Sequence, residues 1–318
     1  MAAADELRRV EKLWFSPDVV ILRAQDRIFR VFVAILKEKS SVFADMFLFP
    51  QPPSSDVESL EGVPVVTLHD DPAELEVFLK AIFDSDFFMP PPAKSKFMDT
   101  LGILRLAHKY DIPYLRRRAL EHLEPIFPAR LAKYDCLSDR IAALDSESLI
   151  QAFALVEAAS EVDAPWLLPV AYYSICRCDL ATITASPLWL TLGEKQRRAC
   201  IVGSQRQMRQ YPKIVNFLSV SKDRNDEDCL DWAECNRTRL TFQLGPQLCP
   251  YMNWPLEIWR GAFWAALAET GGLCEPCTTE AKARHAAARQ ECWDELPKMF
   301  DLPGWDELEQ MRRAALSS

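Results

Sequence analysis

The sequence predicts an α/β domain, a small sheet with helices, followed by an all-α region. Three observations predict it. Apolar and polar residues alternate from Val19 to Val33, the period-2 pattern of strands with one buried face. The period turns helical between Ile35 and Phe47. After Pro128 only helical patterns follow.

Each element has a local reason. Val19, Ile21, Phe29, Val31 and Val33 mark the buried face of a hairpin that turns at Gln25-Asp26. Ser40 and Ser41 are N-caps for a helix on which Val42, Phe43, Met46 and Phe47 share a face. Val65 to Leu68 reads as the third strand. Asp71-Pro72-Ala73-Glu74 opens a helix: Asp71 caps it, Pro72 suits the first position, and Glu74 stands where a capping-box acid belongs. Leu75, Phe78, Leu79 and Ile82 then form one stripe. Phe97, Leu101 and Leu104 mark the next helix, ended by Tyr110-Asp111-Ile112-Pro113. The proline-rich stretches Pro50 to Pro64 and Pro90-Pro91-Pro92 read as surface loops, since proline cannot donate to a sheet ladder. Further on, Asp145 to Val162 reads as a helix with Leu149, Ile150, Phe153 and Val156 buried. Ala164 to Cys178 and Leu192 to Leu218 follow as helical segments, broken near Pro187 and Pro212.

Phe29 to Phe47, FRVFVAILKEKSSVFADMF, resembles the BTB/POZ signature of a strand, a first helix and a serine-capped helix ending in Met-Phe. Asp18 stands where that family has an aspartate ahead of the first strand, and Phe32 where it commonly has a histidine. The resemblance runs on through Val65 to Leu68, Asp70 to Asp84 and Leu101 to Leu123, covering Trp14 to Pro128. With a cysteine-bearing helical tail that carries Leu302-Pro303-Gly304-Trp305, the chain is similar to the fungal branch of the family. The organisation this implies is a tail over 1–13, a BTB-like domain over 14–128, a helical extension over 129–221 and a Cys/Trp-containing helical region over 222–318.

The resemblance implies a protein-binding adaptor that forms homodimers, with Asp18, Phe32, Met46 and Phe47 on the binding face. Family members that hold a cullin scaffold of a ubiquitin ligase use an apolar residue, any residue, then an acid near the start of a late helix. Phe97-Met98-Asp99 has that form. The alternative is a transcriptional or scaffold protein that uses the same face only to dimerise. No kelch, ankyrin or other fixed-period repeat and no zinc-finger array follows the domain.

At 318 residues the chain has room for two domains. No apolar run is long enough to span a bilayer, and the charged start MAAADELRRVEKLW has no signal-peptide core. Ten cysteines without a secretory signal are expected to stay reduced, in the cytoplasm or nucleus. A net charge of −9 argues against a general nucleic-acid binder. Nor does the sequence read as an enzyme. His69, at a strand end, and His108, His122 and His285, within helices, have ordinary packing explanations, and no nucleophile elbow, phosphate-binding glycine loop or His-Glu-x-x-His motif occurs.

The strongest chemical motif is Cys274-Glu275-Pro276-Cys277, a knuckle after the Gly271-Gly272 turn, with a helix expected from about Thr278. Cys229 and Cys235 are the first candidates to complete a four-ligand zinc site, and His285 and Cys292 the second. Two other readings stand beside it: reduced packing thiols, and a redox pair, which would need a strand before the first cysteine. Cys176 and Cys178, two residues apart, read as packing residues. Lys195, Arg197, Arg198, Arg206, Arg209, Lys213 and Lys222 occur with no intervening acid, ahead of acidic Asp223, Asp226, Glu227, Asp228 and Asp231. That run reads either as a solvated helix face or as a dock for an acidic or phosphorylated partner. The repeated Trp-Asp-Glu-Leu at Trp293 and Trp305 reads either as aromatic anchors packed on the helices or as a partner-binding pair.

Overall fold

The computed structural model describes residues 18–48, 58–138, 146–219, 229–245, 254–259, 261–269 and 272–317. The N-terminal tail, most of the Pro50 to Pro64 insert, Lys222, Asp223, Asp226, Glu227, Asp228 and Gly271 lie outside them. The chain divides into two compact units, residues 1–122 and 123–317. It is mostly helical, with one small mixed sheet.

The first unit runs β1 (Val19–Ala24), β2 (Arg27–Phe32), α1 (Val33–Lys39), α2 (Ser41–Met46), β3 (Ser59–Leu60), β4 (Val63–Leu68), α3 (Pro72–Phe83), α4 (Phe97–Lys109) and α5 (Pro113–Leu123). The strand order is β2-β1-β4-β3, with β1 antiparallel to β2 and parallel to β4. Being central, β1 buries Val20, Ile21, Leu22 and Ala24 on both faces, where simple alternation had Val19 and Ile21 inside. Edge strand β2 keeps the alternation, with Phe29 and Val31 more covered than their neighbours. The third predicted strand begins two residues early, at Val63, and takes in Pro64 instead of leaving it in a loop. It pairs with β3, which is too short to show a period.

Ser40 organises the core of this unit. Its backbone N–H closes α1 on the carbonyl of Leu36, and its hydroxyl accepts from the Phe43 N–H at 3.0 Å to cap α2. The same hydroxyl donates to the carbonyl of Tyr110. Phe43 stacks on Tyr110 at 4.5 Å, Phe78 lies on the same ring at 5.6 Å, and the Tyr110 hydroxyl donates to buried Asp70. Burial first, then the Asp70 carboxylate, holds the Tyr110 phenol well above its usual range. Asp71 caps α3 by accepting from the N–H groups of Ala73 (2.8 Å) and Glu74 (3.0 Å). Glu74 pairs with Arg105 of α4 at 2.6 Å.

Among its described residues the second unit has only helices as regular structure: α6 (Leu131–Ser138), α7 (Ser146–Ala159), α8 (Leu168–Cys176), α9 (Leu180–Ala185), α10 (Glu194–Met208), α11 (Tyr211–Ile214), α12 (Trp232–Leu244), α13 (Gly261–Glu269), α14 (Glu275–Met299) and α15 (Trp305–Ser317), with short 3₁₀ turns between some of them. On α7, Phe153 and Val156 are buried as predicted. Ile150 is 45% exposed, and Leu155 takes a buried place instead. The 25-residue α14 is the spine, burying Cys277, Ala281, His285, Arg289, Cys292, Trp293 and Leu296 along its length.

A non-helical strap, Trp254 to Trp259, lies between α8 and α14 and is fixed by side chains. The Trp254 indole N–H donates to the Arg177 carbonyl at 3.0 Å, and the Arg177 guanidinium sits 4.5 Å over that indole. The Leu256 N–H donates to the Tyr173 hydroxyl at 3.2 Å. Arg289 donates to the Leu256 carbonyl at 2.8 Å and forks onto Asp135 of α6. The Trp-Asp-Glu-Leu repeat resolves as internal packing: Trp293 is buried, Trp305 stacks on it at 5.1 Å, and the Trp305 N–H donates to its carbonyl. No helix among the described residues is long and apolar enough to cross a membrane.

Candidate metal centre

Two helix starts converge on four sulfurs. Asp231 caps α12 by accepting from the Glu234 N–H at 3.0 Å, and that turn folds Cys229 back toward Cys235 in the first helical turn. On the other side, α14 begins at Glu275, three residues ahead of the expected start, because Pro276 is pre-set for a first turn. Cys274 is therefore the N-cap residue, and Cys277 lies within the helix. Gly272 makes the approach feasible, since a Cβ there would lie 1.8 Å from the carbonyl oxygen of Leu267.

The Sγ atoms of Cys229, Cys235, Cys274 and Cys277 all lie within 4.8 Å of one another, and those of Cys277 and Cys229 are 3.5 Å apart. Four sulfurs at about 2.3 Å from a tetrahedral ion have edges of about 3.8 Å, inside that range. This is the one group of three or more His, Cys, Asp or Glu side chains among the described residues that converges so. Cys235 and Cys277 are buried, while Cys229 and Cys274 are half-buried.

The thiols differ in acidity for stated reasons. Burial raises Cys274, but the N–H groups of Cys277 and Leu230 and the Cys277 and Cys235 thiols outweigh it and hold Cys274 at about 7. Burial pushes Cys235 up to about 11 and Cys277 higher still.

The second candidate pair stands elsewhere. His285 is eight residues beyond Cys277 on α14, about 12 Å along the helix axis. It is a buried neutral ring, stacked on Trp259 at 4.6 Å and edged by Phe217 and Trp264. Burial, then the Arg289 charge, lowers it to about 3. Cys292 lies farther along, buried, and burial pushes it up to about 12. The element ahead of Cys274 among the described residues is the helix α13, so the strand that a redox pair needs does not stand there.

The predicted protein-binding residues sit on the first unit. Asp18 opens β1, with its carbonyl accepting from the Val33 N–H at 3.0 Å, and Phe32 closes β2 at 50% exposure. Met46 and Phe47 are half-buried at the end of α2. Phe97, Met98 and Asp99 form the first turn of α4, with Met98 53% exposed between two half-covered neighbours. In the basic segment, Arg206 is engaged by Asp301 at 2.6 Å and Lys213 by Glu295 at 3.2 Å.

No family model, curated protein or solved structure matches the chain. The geometry therefore stands alone. One residue near the sulfurs escapes a motif search: Arg239, one turn beyond Cys235 on α12, with its side chain 3% exposed. Its only sequence signal is the four-residue spacing from a cysteine, common to many surface pairs.

Proposed function

We propose that this chain is a BTB-like protein-interaction adaptor whose second unit is a helical module held by one structural zinc ion, with no catalytic step of its own. The observation that carries the adaptor reading is the order of the first unit, a hairpin, two short helices, a further strand pair and three helices, in which edge strand β2 presents Ile28 and Phe32 half-exposed. An apolar sheet edge of this kind is a natural seat for a second copy of the chain. Exposed Met98 within Phe97-Met98-Asp99 supports a cullin scaffold as a further partner. The zinc reading rests on the four converging sulfurs, a set that suits a soft or borderline divalent ion. Reduced thiols of this kind fit a cytoplasmic or nuclear setting.

The test uses the full chain. Light scattering is expected to give twice the 36.3 kDa monomer mass, reverting to the monomer in an Ile28→Asp, Phe32→Asp variant. A monomer at high concentration sinks the dimer reading. Elemental analysis of chain purified under reducing conditions is expected to find one zinc per chain, lost in Cys235→Ser. Metal-free, fully helical protein removes the zinc. Calorimetry against the N-terminal domain of the BTB-binding cullin decides the scaffold: binding abolished by Phe97→Ala, Met98→Ala supports it, and no heat with folded dimer excludes it.

A further inference from the structure

We propose that Arg239 is the counter-charge of the metal–thiolate centre, its buried guanidinium offsetting the negative charge that four thiolates retain around one divalent ion. The inference rests on the zinc reading above. Four thiolates and one zinc ion leave a net charge of two minus, and such a centre needs positive neighbours wherever water is excluded.

Arg239 is such a neighbour, and among the described residues its own pairing is weak. Its side chain is 3% exposed, and its ion-pair partner among the described residues, Glu280, is 3.5 Å away. Glu280 is more closely held by Arg284, at 2.6 Å. The Arg239 Nε, fully buried, has no hydrogen-bond partner among the described residues. A buried guanidinium left this way would cost several kcal/mol. Position supplies the answer. Arg239 follows Cys235 by one turn of α12, and Glu280 follows Cys277 by three residues on α14, so the two helices meet at this pair within one turn of a cysteine on each. The starts of α12 and α14 add the partial positive charge of their free N–H groups on the same side.

The role is one of positioning charge and does not extend to ligation, which gives it a distinctive readout. In the full chain, Arg239→Met is expected to keep one metal per chain and an unchanged tetrahedral Co²⁺ absorption spectrum. Its zinc affinity, measured by competition with a chromophoric chelator, should fall about tenfold or more, while Arg239→Lys recovers most of it. Glu280→Gln, a half-exposed position that should fold whatever Arg239→Met does, is expected to tighten zinc several-fold by freeing the guanidinium for the sulfurs. Wild-type affinity in Arg239→Met, or weaker binding in Glu280→Gln, overturns the assignment while leaving the zinc site intact. A folded wild-type chain that takes up neither zinc nor cobalt overturns both.

Discussion

Replacing His285 by phenylalanine should flatten the acid side of the second unit's stability curve. The imidazole is 5% exposed, its Nε2 has no hydrogen-bond partner among the described residues, and its pKa falls from 6.5 to about 3. The sign follows from linkage. The unfolded chain takes up a proton as pH drops through 6.5, while the folded ring refuses it until about 3, so stability present above pH 6.5 is lost as pH falls. Between pH 7.5 and 5.5 the loss from this one group is about 1.4 kcal/mol, and by pH 4.5 about 2.7 kcal/mol. Phenylalanine fills the same aromatic setting and cannot titrate. Urea denaturation followed by tryptophan fluorescence reads the second unit, because every tryptophan except Trp14 lies in it. Both chains carry the same four cysteines, so acid effects on those thiols cancel in the difference. The gap between variant and wild type should widen in the variant's favour by about those amounts. Parallel curves from pH 7.5 to 4.5 would show that water reaches the ring and would sink the reasoning.

Two smaller expectations test the packing. A Cβ on Gly203 would stand 2.2 Å from a carbon of the Phe300 ring, which is buried and stacked on Tyr172 at 5.2 Å. Gly203→Ala should therefore destabilise by about 1–3 kcal/mol in the same urea assay, and an effect within error would mean the ring has room to move. Asp71→Ala removes an acceptor serving two N–H groups and should destabilise the first unit by about 1 kcal/mol. Hydrogen exchange at Ala73 and Glu74 should speed up first, and unchanged protection there would refute the cap.

What could be read from the sequence follows the range of the interactions. The Asp71 cap and the Ser40 cap involve neighbours two or three residues away, and both stand as the spacing implies. Helix periodicity is equally local, yet it places Ile150 inside when the buried face is rotated toward Leu155, because a run of apolar residues is compatible with more than one face. The strand β3 is two residues long and leaves no period to detect. The start of α14 is misplaced since a Cys-x-x-Cys knuckle suggests a turn, whereas Pro276 commits the chain to helix. His285 shows the limit most plainly. Its own neighbours, charged Arg284 and small Ala286, give no sign of an aromatic pocket, and its burial comes from Phe217, Trp259 and Trp264, none of them on its helix. The four cysteines are nameable from the sequence as the first-ranked set, and the tertiary fold brings their sulfurs together while His285 and Cys292 stand elsewhere on α14.

The clamped strap has a consequence for the order in which the second unit folds. Trp254 and Leu256 are held by Arg177 and Tyr173, 77 and 83 residues earlier, and by Arg289, 33 residues later. The full set of those bonds closes only once α8 and α14 stand side by side, and closing such long loops is entropically unfavourable until other contacts hold the ends together. The strap is thus a latch that engages late, and a chain arrested before that step would leave Trp259 and the His285 face in water.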